Sequence, residues 1–160
     1  MQFFRIIKKR IVRQVSKTKN TSYLQHKELA RTLIIDRLHY FNATGEFVYH
    51  RVAIRDQRRC WGSCSSKGNL NFSYKLLFLP PCLRDYILVH ELCHLKVLNH
   101  SASFWQEVEK RMPDYVSRMK HLRMIEKTLG TSIVALKKHQ AVHTSMVCEA
   151  CGTVGDTQLK

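Results

Sequence analysis

Apolar positions recur along the chain with two different periods, and the changes of period mark out its elements. Leu24, Leu29, Leu33, Ile34, Leu38 and Phe41 follow helical spacing, and the stripe stops before Thr44-Gly45. Phe47 to Ile54 alternates and is rich in β-formers, which predicts a strand. Trp61 to Asn69 is turn-rich, and Leu70 to Tyr74 predicts a second short strand, so two antiparallel strands are expected between helices. Pro80-Pro81 opens a helix that runs to about Leu98, with Pro81 suited to its first turn. Leu83, Ile87, Leu88, Val89, Leu92 and Leu95 make that helix apolar nearly all round, which predicts burial. Asn99 is suited to the left-handed conformation that ends a helix. Ser101 or Ser103 then caps a helix from Phe104 to Arg111, which stops at Met112-Pro113. Further helical patterns lie at 114–129 and 131–142, separated by Gly130. The expected class is α+β: a small antiparallel sheet packed against a buried helix, with further helices C-terminal.

With 160 residues the chain is long enough for one core domain, here 21–130, between an arm (1–20) and a C-terminal helix and tail (131–160). Lys and Arg outnumber Asp and Glu by 27 to 12, a formal charge of +15. The arm holds seven cations and no acid, and Phe4, Ile7, Ile11 and Val15 would give it an amphipathic helix. Such a charge suits nucleic acid or an acidic membrane surface, the arm also suits organellar targeting, and a solvated basic face explains both equally well. No run of the sequence is long and apolar enough to span a bilayer. Six cysteines without a secretory leader point to a reducing, cytoplasmic setting with thiols free or on metal.

The chemistry concentrates in His90-Glu91-Leu92-Cys93-His94. Residues four apart share a helical face, so His90 and His94 can reach one zinc ion, and Glu91 beside them can take a proton from a zinc-activated water. A lone ionised carboxylate inside so apolar a helix would be driven to protonate, and a cation removes that penalty. His100 would point about 80° away from His90 on an unbroken helix, so the chain must turn for it to become the third ligand. Glu107 and Glu109 on the next helix compete for that role. In the tail, His139, His143, Cys148 and Cys151 have the spacing of a second, four-ligand zinc site; a redox dithiol or a loose end fits the Cys pair as well.

Several ordered motifs together resemble a known family. They are Trp61 to Leu70, Leu79-Pro80-Pro81, Val89 to Leu95, Asn99-His100-Ser101 with Phe104-Trp105, and Met112-Pro113-Asp114-Tyr115. Over about residues 30–125 the chain resembles the YgjP-type zinc metallopeptidases, relatives of the SprT-like proteases. The resemblance implies a zincin-like α+β fold, one zinc ion, His100 as third ligand, and hydrolysis of peptide or protein substrates. Cys60 stands where the family carries a basic residue, and the N-terminal sheet of longer members is shortened or absent. His50, Tyr74 and Tyr115 are candidates for stabilising an oxyanion, and the strand before the active-site helix is suited to pairing with extended substrate. The rival reading is a DNA-associated SprT-like protease, or a nucleic-acid-binding protein whose zinc site is idle.

Overall fold

The computed structural model describes residues 23–57 and 59–128. The basic arm, the helix expected at 131–142 and the tail's His139, His143, Cys148 and Cys151 lie outside the described residues.

The first helix, α1, occupies residues 23–41. Its core face is Ala30, Ile34 and Leu38, all fully buried at a spacing of four, while Leu24 and Leu29 are about three-fifths exposed. Leu33 and Phe41 pack partly buried against the same core, so the expected stripe faces inward from Leu33 onward, and Ala30 joins it. Tyr23 donates its hydroxyl to the Ile54 carbonyl at 2.8 Å and ties the start of the helix to the sheet. Asn42 then clamps the returning chain: its side chain accepts from the Phe47 amide and donates to the Phe47 carbonyl, both at 2.8 Å.

Three strands follow, β1 (Arg51–Arg55), β2 (Gly62–Cys64) and β3 (Asn69–Ser73), in the order β1-β3-β2. The sheet is mixed, which corrects the antiparallel expectation. β1 and β3, the two strands legible in the sequence, pair in parallel, with Val52 opposite Leu70 and Ile54 opposite Phe72. The antiparallel partner of β3 is β2, which pairs Gly62 with Phe72 and Cys64 with Leu70. A Gly-Ser-Cys strand carries no apolar alternation, so it reads as turn, yet it supplies the reversal that lets β1 and β3 run the same way. Phe72 and Leu70 are fully buried in the central strand.

A 3-10 turn (Tyr74–Phe78) leads to α2 (Pro81–Cys93), α3 (Ala102–Arg111) and α4 (Tyr115–Thr128). In α2, Leu83, Leu88, Val89, Leu92 and Cys93 are fully buried, as its all-round apolar pattern requires. It packs against β2, α3 and α4. Arg118 of α4 fixes the start of α2 by donating to the Cys82 carbonyl at 2.9 Å. The helix stops at Cys93, five residues before the expected Leu98, and among the described residues no non-glycine has a positive φ, so Asn99 does not end it by a left-handed turn. Instead the last amides tighten: Leu95 bonds to the Leu92 carbonyl and Lys96 to that of Cys93, both at 3.0 Å. Among the described residues no helix is long and apolar enough to cross a membrane.

Candidate active site

α2 brings His90 and His94 to one face, and the tightened turn after Cys93 lets the chain fold back so that His100 meets them. The Nε2 atom of His90 lies 3.2 Å from that of His94 and 3.1 Å from that of His100. One ligand atom from each of the three histidines falls within 4.8 Å of the others. Zinc–nitrogen bonds of about 2.0–2.1 Å in a tetrahedral site put ligand nitrogens about 3.3 Å apart, so the spacing fits an ion of that size. The tautomer fits too. His94 Nδ1 is 3.0 Å from the Val97 carbonyl, which can only accept, so Nδ1 carries the proton and Nε2 presents its lone pair. Three imidazole nitrogens so disposed could hold a metal ion between them.

The floor of the site is Phe104, fully buried, whose ring stacks on His94 with centroids 4.4 Å apart and lies 4.9 Å from those of both His90 and His100. Trp105 stacks on His100 at 5.6 Å and on Tyr115 at 5.4 Å. Burial, followed by the crowding of His94 and His100, pushes the His90 imidazole down to about 3, so it stays neutral and fit to ligate. Burial likewise lowers His94.

The YgjP-like metallopeptidase domain, as a family, matches residues 5–124. The chain belongs to the YgjP-like metallopeptidase family. It is also similar to the crystal structure of the metallopeptidase zymogen of Pyrococcus abyssi abylysin, at 33% identity and a TM-score of 0.50. That match covers 60% of this chain and 94% of the abylysin chain. No curated protein matches.

Within this YgjP-like domain, Glu91 is 7% exposed and faces β2. A Cβ built on Gly62 would stand 2.7 Å from Glu91 Cγ and 2.8 Å from its Oε1, so the first residue of β2 must be glycine for the carboxyl group to lie where it does. Burial raises the Glu91 carboxyl to about 8 when no cation is beside it. The same carboxyl, after burial, raises the flanking thiols of Cys60 and Cys64, that of Cys64 to about 11. Trp61 is buried, and its indole N–H donates to Glu126 of α4 at 2.9 Å, anchoring the strand that carries Gly62.

The competing third ligands are engaged or placed elsewhere. Glu107 accepts from Lys96 and Arg111, and Glu46 bonds both of those cations, so the four form one ion cluster. The Lys96 and Arg111 side chains of this cluster cover the buried Phe47 ring. Glu109 is exposed on α3. Of the phenols and imidazole read as oxyanion candidates, Tyr74 is 4% exposed and packs between Tyr23 and Phe78, and His50 borders a groove beside His94. Tyr115 alone of the three joins the histidines through a ring stack, by way of Trp105. Tyr86 was not legible as a site residue, although it stands four positions before His90, one turn back on the same face. Its ring centre is 5.9 Å from that of His90, and burial pushes its hydroxyl up to about 12.

Proposed function

We propose that the chain is a zinc-dependent peptidase in which His90, His94 and His100 hold the ion and Glu91 is the general base. The observation that carries this reading is the convergence of three imidazole nitrogens, with the buried Glu91 carboxyl on the residue that follows His90 in the same helix. Zinc supplies a Lewis acid there, polarising a peptide carbonyl and raising the acidity of water. Glu91 accepts the proton of the attacking water at its carboxylate and delivers it to the leaving amine. Phe104 and the apolar face of α2 exclude bulk water, which keeps that proton transfer local. Tyr115 is proposed as a donor to the developing oxyanion. β2 is an edge strand of the sheet with Gly62 against Glu91, so extended substrate can add to it beside the base.

Full-length, zinc-loaded protein is expected to cleave an unfolded protein or a quenched fluorescent peptide. A zinc chelator should abolish the cleavage, and added zinc, not magnesium, should restore it. Cleavage that survives complete metal removal contradicts the proposal.

The contact of Gly62 with Glu91 gives a second expected outcome. Gly62→Ala forces the carboxyl group to move and is expected to lower kcat about 10- to 100-fold, since misplacement by an ångström suffices for such losses. Zinc content should stay that of the wild type. Unchanged kcat would show that the carboxyl position does not matter.

A further inference from the structure

A groove of about 760 Å³ opens beside the histidine cluster and shares His94 with it. Its walls are the β2–β3 turn (residues 65–68) on one side and the chain after α2 (residues 94–98) on the other. Gly68, at φ +69, brings these walls together: a Cβ there would stand 3.3 Å from His50 Cδ2 and 3.8 Å from Leu95. No Asp or Glu lines the groove, whereas His50, Lys67 and Lys96 do. The Lys96 charge is already met by Glu46 and Glu107 at 3.0 and 3.4 Å. Lys67 and His50 have no ion pair or side-chain hydrogen bond among the described residues. Besides the shared His94, the groove thus holds one un-neutralised ammonium, the His50 imidazole and the Ser66 hydroxyl, with Val48, Leu95 and Leu98 as apolar wall.

We infer that this groove is a specificity subsite that takes an acidic side chain of the peptide substrate, with Lys67 and His50 as the groups that recognise it. The inference rests on the peptidase reading. Its position follows from the strand geometry. A peptide laid along β2 passes Glu91 at Gly62 and reaches Ser65 three residues later, roughly 10 Å on at strand rise. The acidic residue therefore falls within about three positions of the scissile bond. An alkyl stem against Leu95 and Leu98 with its carboxylate at Lys67 describes glutamate better than aspartate. Both recognition groups are on the sheet side of the groove, outside the histidine cluster and away from Glu91, so they select substrate without joining the chemistry.

The test uses the full, zinc-loaded chain and peptides that carry Glu or Gln at each of three positions on either side of the cleaved bond. At one position the Glu peptide is expected to show kcat/KM roughly 3- to 10-fold above its Gln twin, the scale of a charge-assisted contact discounted for solvent. Lys67→Glu should bring that ratio to about one or below and favour a Lys peptide instead, while Lys67→Arg should keep it. His50→Gln should reduce the ratio in part. Cleavage with no Glu preference at any position, or a preference that Lys67→Glu leaves untouched, overturns the subsite and leaves the peptidase reading standing. No cleavage of any peptide by zinc-loaded wild type overturns the peptidase reading and the subsite with it.

Discussion

Glu91→Gln is expected to keep wild-type zinc content and lose about 10²- to 10⁴-fold in kcat, the range for removing a general base. Glutamine preserves the shape beside Gly62 and takes no ligand from the three imidazoles, so metal content and rate are expected to separate. The same variant has a second effect, opposite in sign, on the metal-free fold. Burial lifts the Glu91 carboxyl to about 8, so the folded metal-free protein holds it protonated up to that pH. The unfolded chain ionises it from the ordinary carboxylate range upward. Wild-type metal-free protein should therefore lose stability as pH rises from that range toward 8 and level off above it. Glutamine cannot ionise, so the decline should be absent from the variant. Thermal melts of chelated protein at pH 5 and pH 8 check this: the variant should gain on the wild type at pH 8 only. Both proteins should also lose stability below the ordinary histidine range, because His90 is held neutral down to about 3. A wild-type rate in Glu91→Gln would remove the base from its role, and equal pH dependence of the melts would remove the burial argument.

His100→Ala is expected to weaken zinc binding by at least about 100-fold, because even losing the outer partner of a ligand costs 10- to 100-fold. His100 is the exposed member of the triad, held to it by 3.1 Å between its Nε2 and that of His90 and by the stack on Trp105. Glu107→Ala should leave zinc affinity unchanged and lower stability modestly, since it strips Lys96 and Arg111 of a partner. Glu109→Ala should change neither. Competition titrations with a zinc-binding dye separate the three. Normal zinc affinity in His100→Ala together with its loss in Glu107→Ala would make the carboxylate the third ligand.

The sequence spoke most clearly where one period governed a long element. α2 was legible because a helix apolar on every side has only a buried place to go, and that burial made the charged and imidazole groups within it stand out. The pairing of His100 with His90 was legible only as a requirement that the chain turn. How it turns was not, because the 3-10-like bonds after Cys93 depend on backbone amides and leave no residue signature. β2 escaped for the opposite reason: Gly62-Ser63-Cys64 has turn-like residues, and only its pairing with β3 makes it a strand. Missing β2 meant missing both the parallel pairing of β1 with β3 and the contact of Gly62 with Glu91. The inward face of α1 was legible from Leu33 to Phe41, whereas Leu24 and Leu29 proved exposed and the buried Ala30 left no apolar signal.

The most direct measurement is the position of zinc itself. Crystals of the full-length protein grown with one equivalent of zinc, measured at energies on either side of the zinc absorption edge, should give a single strong anomalous peak in the described domain. That peak is predicted at about 2.0–2.1 Å from Nε2 of His90, His94 and His100, with Glu91 not coordinating. A peak that excludes His100, or no peak among the three histidines, would contradict the account.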